Sequence, residues 1–253
     1  TYYYRLRVYN CAGTSGNSGT ITVKTICAAP TGVSATDGTL TTGVTVTWNA
    51  ATGATSYQVV RNTSDSTSGA TDLGTQSSGF DDTTADPGVL YYYFVRAYNG
   101  SAYGAYSTSD SGYRKLAAPT GVAATDGTLA TGVTVTWNAV TGADSYTVYR
   151  NTTDSTTGGT DLGTQSSGFN DTTAVPGTLY YYFVRAVDSA PSHTSDYSSS
   201  NTGYRQLSPP ANVAASDGGS TAQVTVTWDA ATGATSYKVF RSAAETETHT
   251  GQT

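Results

Sequence analysis

The 253-residue chain has no methionine, two cysteines, two histidines and few charges, only 12% of its residues being Asp, Glu, Lys or Arg. An ordinary soluble domain carries about 25%. Each shortage excludes something. The helix formers Glu, Lys and Met are nearly missing, whereas Thr, Val and Tyr abound and favour strands, so a helical architecture is excluded. No apolar run approaches the roughly 18 residues of a membrane-spanning helix. Lys plus Arg is 12 against 18 Asp plus Glu, a net charge of −6, and the basic residues are scattered. Nucleic-acid binding needs a clustered positive face, so it is not expected. Aromatics at 11% with modest net charge exclude a disordered chain. Because the sequence does not open on Met, it is expected to be processed or a piece of something longer.

What is present is Ser and Thr at about three residues in ten, 28 Gly and 20 Tyr, arranged in a long repeat. Residues 29–57, APTGVSATDGTLTTGVTVTWNAATGATSY, recur at 118–146 as APTGVAATDGTLATGVTVTWNAVTGADSY. They recur again at 209–237 as PPANVAASDGGSTAQVTVTWDAATGATSY. Trp48, Trp137 and Trp228 mark the register at intervals of 89 and 91 residues. DLGTQSSGFDDTTADPGVLYYYFVRAYN (72–99) likewise matches DLGTQSSGFNDTTAVPGTLYYYFVRAVD (161–188), and the opening TYYYRLRVYN repeats its end. The expected organisation is a partial repeat at 1–27, complete repeats at 28–116 and 117–207, and a partial repeat at 208–253.

Each complete repeat reads as about seven short strands. In Val44-Thr45-Val46-Thr47-Trp48, period-two alternation puts Val44, Val46 and Trp48 inward and the threonines outward. Tyr57 and Val59 continue the inward set on the third strand, and Tyr91, Tyr93, Val95 and Ala97 on the sixth. Pro87-Gly88 and Asp37-Gly38 punctuate as turns. Regular short strands at about 90 residues per unit indicate a β-sandwich.

With these residues in place, the chain resembles the fibronectin type III domain, in the form common in large bacterial surface proteins. The resemblance rests on the opening Ala-Pro-x-x-Val, the Trp of VTVTW and the Tyr of SYxVxR. It is completed by Pro-Gly-x-x-Tyr-x-Tyr-x-Val-x-Ala, in which Tyr91 and Tyr180 match the tyrosine-corner position. It implies an all-β fold of tandem immunoglobulin-like (fibronectin type III) sandwiches, head to tail. It says little about function, because such sandwiches host many roles. The integrin-binding Arg-Gly-Asp of some members is absent, and the first fragment has Arg5 where the later repeats have Phe94 and Phe183.

Candidate chemistry is sparse. His193 lies in a Ser/Pro-rich stretch and His249 in the polar tail, in no nucleophile–base context, so no catalytic residue and no cofactor is expected. Calcium needs several convergent oxygens. Asp37-Gly38-Thr39 and Asp81-Asp82 are the only candidates, and turn-holding explains them better, with Asp82 and Asp171 tying down the loop before the corner Tyr. No metal site is therefore expected. Cys11 and Cys27 are the candidate disulfide partners. With residues 12–19 as a connecting loop, Cys11 faces Thr20 and Cys27 faces Tyr4, about 23 Å of strand apart, too far for a bond between α-carbons that must lie within about 7 Å. Either the loop folds back, or each cysteine pairs elsewhere, or both are free buried thiols. Sequons stand at Asn62, Asn99, Asn151 and Asn170.

One feature departs from simple alternation. Leu90, Tyr92, Phe94, Arg96 and Tyr98 occupy the outward positions of the sixth strand, matched by Leu179, Tyr181, Phe183, Arg185 and Val187. The neighbouring third strand adds Val60, Tyr149 and Phe240. A two-sided apolar strand indicates that something covers this face. A cross-strand aromatic and Arg ladder, a protein contact and a stacked glycan are the alternatives, with Tyr92, Phe94, Tyr149, Tyr181 and Phe183 as contact residues.

Linkers are nearly absent, since Gly112–Leu116 runs directly into Ala117-Ala118-Pro119. The expected function is non-enzymatic: a semi-rigid structural repeat segment of an extracellular surface, matrix or filament-forming protein. Its expected partners are adjacent repeats or other copies of itself. The alternative is an adhesin or carbohydrate-binding module using the aromatic face, and an accessory region of an enzyme is the third reading. The two ends read either as a cut from a longer array or as halves of a composite sandwich joined by strand donation.

Overall fold

The computed structural model describes residues 2–188, 193–217, 219 and 223–242, which are all β, turn or loop. The opening segment supplies β1 (Tyr2–Tyr4), β2 (Tyr9–Asn10), β3 (Gly13–Thr14) and β4 (Ile21–Val23). The first full repeat supplies β5 (Thr31–Ala35), β6 (Val44–Asn49), β7 (Ser56–Asn62), β8 (Thr71–Gln76), β9 (Phe80–Asp82), β10 (Leu90–Tyr98), β11 (Tyr103–Tyr106) and β12 (Asp110–Tyr113). The second supplies β13 (Ala123–Ala124), β14 (Val133–Thr136), β15 (Ser145–Asn151), β16 (Thr160–Gln165), β17 (Phe169–Asp171), β18 (Tyr180–Val187) and β19 (Asn201–Gly203). Strands β20 (Ala211–Ala215) and β21 (Val226–Asp229) follow.

In the first full repeat, β5-β6-β9 form one antiparallel sheet and β8-β7-β10-β11 the other, with β12 also pairing β10. The arrangement recurs as β13-β14-β17 and β16-β15-β18-β19, with β19 standing where β12 does. Between the two sheets of the first repeat lie Val44, Val46, Trp48, Val59, Tyr91, Tyr93 and Val95, all buried, with Tyr57 packed against them. On β6 the pattern alternates as the sequence implies, because a strand's side chains point to opposite faces in turn. A fully buried Val contributes roughly 1.5–3 kcal/mol, so this row fixes the register of the sheet.

The opening hairpin differs from its expected register. Tyr2 faces Val23 and Tyr4 faces Ile21, while Tyr9 faces Thr14. The turn is therefore tight and sits at Cys11-Ala12, where the Ala12 N–H donates to Asn10 Oδ1 at 2.9 Å. A local side-chain bond of this kind reverses the chain early, and residues 12–19 do not act as one loop. Cys11 lies exposed at the hairpin tip, Cys27 lies buried beyond the far end of β4, and both are free thiols.

The described chain forms two compact units. The first combines the described residues of 1–119, 139–147 and 185–197. The second combines the described residues of 120–138, 148–184 and 198–242. A recurring contact explains why the units cut across the sequence repeat. In the first unit Gly142, at φ +83°, lies so close to the Pro87 carbonyl and Leu116 that a Cβ would collide with the carbonyl. In the second unit Gly233, at φ +82°, meets the Pro176 carbonyl and Leu207 in the same way. Left-handed φ and missing side chain are both required here, which is why only Gly fits. Leu116 is buried, and Cys27, one repeat earlier, is buried at the matching sequence position.

Candidate functional site

The most polar part of the interior is a corner built around Asp82, the last residue of β9. Its Oδ1 accepts the Thr84 N–H at 3.0 Å and the Thr84 hydroxyl at 2.7 Å, which closes the turn into the Ala85–Gly88 corner. Its Oδ2 accepts the Tyr93 hydroxyl at 3.0 Å and forms an ion pair with Arg61. Arg61 also donates to the Thr84 hydroxyl and carbonyl at 3.0 and 3.1 Å, and its guanidinium carbon lies 4.5 Å from the centre of the Tyr91 ring. The second repeat reproduces the arrangement with Asp171, Thr173, Tyr182 and Arg150. The expectation that Asp82 and Asp171 hold the loop before the corner Tyr is met, and each does so while buried beneath an Arg.

The electrostatics follow from this packing. Burial alone would push the Asp82 carboxyl up, but hydrogen bonds from Thr84 and Arg61, the guanidinium charge and the Tyr93 hydroxyl together hold it below the ordinary carboxylate value. Asp171 is held down by the same set of neighbours. Burial, followed by the charge and the hydrogen bond of Asp82, pushes the Tyr93 hydroxyl far up, and Tyr182 is raised for the same reasons. A carboxylate with all its lone pairs engaged and a phenol that resists ionisation make a structural brace, with no free base or nucleophile.

The outer face of the larger sheet is covered to a large extent by the chain itself. Phe94 and Val60 face one another across β10 and β7 and are only 6% and 4% exposed. Phe183 is buried likewise. Tyr92, Tyr149 and Tyr181 are half-buried. Farther along β10, Arg96 donates to Gln58 at 2.6 Å and stacks over Tyr103 and Tyr106, 4.1 and 4.7 Å from their centres. Tyr98 and Tyr103 pack 4.8 Å apart. Ser109 donates to Asp65 at 2.5 Å, tying the β11–β12 connection to the loop after β7, and Ser200 donates to Asp154 in the second repeat. These contacts have the form of the aromatic and Arg ladder. Tyr103 remains the most open ring of the group, at 42%.

The remaining candidates are dispersed. Among the described residues no group of three or more His, Cys, Asp or Glu side chains could hold a metal ion. Asp37-Gly38 is a clamped turn, with the Gly38 N–H donating to the Tyr113 carbonyl at 2.9 Å. Asp81 accepts the Thr45 hydroxyl at 2.5 Å. Three sequon asparagines have their amides in use: Asn62 on the Ser66 and Ser68 carbonyls, Asn151 on those of Ser155 and Thr157, and Asn99 on that of Thr25. Asn170 is exposed on β17. His249 lies outside the described residues.

The sequence reading missed one cluster. His193 stacks flat on Tyr113, ring centres 3.3 Å apart and planes 5° from parallel. The signal for it was the change of repeat interval from 89 to 91 residues: Phe94 and Phe183 keep the first interval, Ser107 and Ser198 the second. The two extra residues therefore lie in the connection that carries His193.

Two antiparallel sheets in this order, with a buried Trp on one and a tyrosine corner on the other, define a class: the chain carries tandem fibronectin type III-like sandwiches. No protein-family profile matches it. A two-domain fibronectin type III segment of chicken tenascin is 21% identical, with 68% of this chain and 97% of that one covered at a TM-score of 0.51. The FN1–FN3 domains of chicken CNTN1 align at 17% identity over 81% of this chain and 77% of that one, at a TM-score of 0.31. The chicken interferon gamma receptor alpha chain aligns at 12% identity over 70% of this chain and 98% of that one, at 0.44. In sequence, a poly(3-hydroxybutyrate) depolymerase of Ralstonia pickettii is 43% identical over 72 residues, which is 28% of this chain and 13% of that enzyme.

Proposed function

We propose that this chain is a non-catalytic repeat segment of an extracellular protein, a semi-rigid spacer whose sandwiches support neighbouring domains or copies of themselves. The observation that carries this reading is the Asp82 brace and its repetition at Asp171: the most strongly perturbed polar groups of each repeat are consumed in holding the corner between sheets. The recurring seat of a Pro-Gly corner on a left-handed Gly supports close, short-linked succession of repeats. The tenascin segment, itself two such domains, supports the tandem arrangement.

A second reading has its own support. The match to part of a depolymerase favours an accessory spacer within a secreted polymer-degrading enzyme, where chemistry belongs to another domain. Imaging the native material separates the two. Filaments or surface layers made of this chain support the structural reading, and a dispersed enzyme carrying these repeats supports the accessory one. Binding of glycans to the purified chain, abolished by joint substitution of Tyr92, Tyr103 and Tyr181, would replace both with adhesion.

A further inference from the structure

A cavity of about 650 Å³ opens on the first full sandwich, and all of its lining lies within the first compact unit. It lies where the chain crosses from β8, the edge of the larger sheet, to β9, the edge of the smaller one. Its lining includes no residue of the Asp82 corner and none of the outer aromatic row. Trp48, Tyr57 and Phe80 supply rings, those of Trp48 and Tyr57 packing 5.5 Å apart at 59°. Trp48 is only 6% exposed, and its indole Nε1–H is buried with no hydrogen-bond partner among the described residues. A buried donor left unpaired is rare, because it gives up water and gains nothing in return. The Trp48 backbone, by contrast, is held on both sides. Its N–H donates to Ser78 Oγ at 2.8 Å, and the Ser78 hydroxyl donates to the Trp48 carbonyl at 2.9 Å.

The other polar groups of the lining are only half used. The Tyr57 hydroxyl oxygen accepts the Ala51 N–H at 2.8 Å, which leaves its proton to donate. Gln76 donates from Nε2 to the Leu73 carbonyl at 2.7 Å, which leaves Oε1 to accept. The Thr55 hydroxyl donates to the Tyr98 carbonyl at 3.0 Å and keeps its lone pairs. No described side chain that lines the cavity carries a charge. Donors, acceptors and ring faces without charge suit a ligand with the same three properties. We propose that this cavity binds a neutral sugar, one hydroxyl oxygen accepting the Trp48 Nε1–H and others pairing with Tyr57 and Gln76. An ester or a hydrocarbon has no donor for Gln76 Oε1, and an anion would lose its water there without a cation to meet it. The site adds binding to the segment under either the spacer or the accessory reading, and it is separate from the outer aromatic face.

The test is an NMR titration of the whole chain with maltose, cellobiose and lactose. The reporters are the Trp48 indole Nε1–H and the Ser77, Ser78 and Gly79 amides, and the β10 amides are the folding control. At least one of the sugars should shift the reporters saturably, with a single dissociation constant across them. Ser77→Arg, at an exposed position on the rim, should block the site without touching the core. Trp48→Phe, which keeps a ring without the N–H, should weaken binding severalfold. Joint substitution of Tyr92, Tyr103 and Tyr181 should leave the affinity unchanged. The absence of a saturable shift with all three sugars would overturn the proposal. So would undiminished affinity in Ser77→Arg or Trp48→Phe, or loss of binding in the triple tyrosine variant.

Discussion

The Tyr93 hydroxyl donates to the buried carboxylate of Asp82 at 3.0 Å, and Tyr182 repeats the bond to Asp171 at the same distance. Tyr93 lies on β10 and Asp82 on β9, so this single bond joins the two sheets of the sandwich, and Arg61 on β7 closes the triangle.

Removing one member of the triangle leaves a buried charge without its partner. Asp82→Ala should therefore destabilise the first repeat by about 3–5 kcal/mol, the range for breaking a buried ion pair by deleting one side. Tyr93→Phe should cost less, about 1–3 kcal/mol, because the carboxylate keeps Thr84 and Arg61. Urea unfolding followed by Trp fluorescence measures both.

The same groups set the pH limits of folding. Asp82 and Asp171 are held below their ordinary value, so their contribution is present above about pH 4, where unfolded carboxylates ionise, and is lost as pH falls through the folded value. Tyr93 and Tyr182 are raised, so theirs is present below about pH 10 and lost above it. The melting temperature should show a plateau with a limb at each end. Asp82→Asn should flatten the acid limb of the first repeat and leave that of the second.

Gly53, Gly142 and Gly233 share one turn sequence and similar φ angles of +77°, +83° and +82°. A Cβ at Gly53 would meet nothing within 4 Å, whereas at Gly142 it would run into the Pro87 carbonyl. Gly53→Ala should cost only left-handed backbone strain, about 1–2 kcal/mol. Gly142→Ala should cost more and also free the 139–147 segment, seen as added amide exchange at Ala143 and Asp144. Equal effects at the two glycines would remove the seated corner from the account.

On the outer sheet face, burial separates residues that sequence alone groups together. Phe94→Ala should destabilise by about 3–5 kcal/mol, as for other buried aromatics. Tyr103→Ala, at an open position, should change stability by much less while removing one of the rings that hold Arg96. Denaturation midpoints of the two variants compare them directly.

The period-two pattern of Val44, Val46 and Trp48 and the inward row on β10 were legible in the sequence, because alternation needs no knowledge of distant residues. The aspartate turns were legible for the same local reason. Phe94 was not, since it stands at an outward position of β10, opposite Val60 on β7, and yet is only 6% exposed. The hairpin register escaped because one Asn10 bond moves the turn to Cys11-Ala12. His193 escaped because its partners are distant in sequence: Tyr113 lies 80 residues upstream, and only the changed repeat interval marked the place.

The central claim is that these sandwiches act as spacers. Small-angle X-ray scattering on the 253-residue chain and on versions with one or two extra copies of residues 117–207 tests it most directly. The account predicts a maximum dimension that grows by a constant increment with each added repeat, at pH 5.5 and at pH 8. A maximum dimension that stays nearly constant as repeats are added, with the particles folding back into a compact mass, would contradict it.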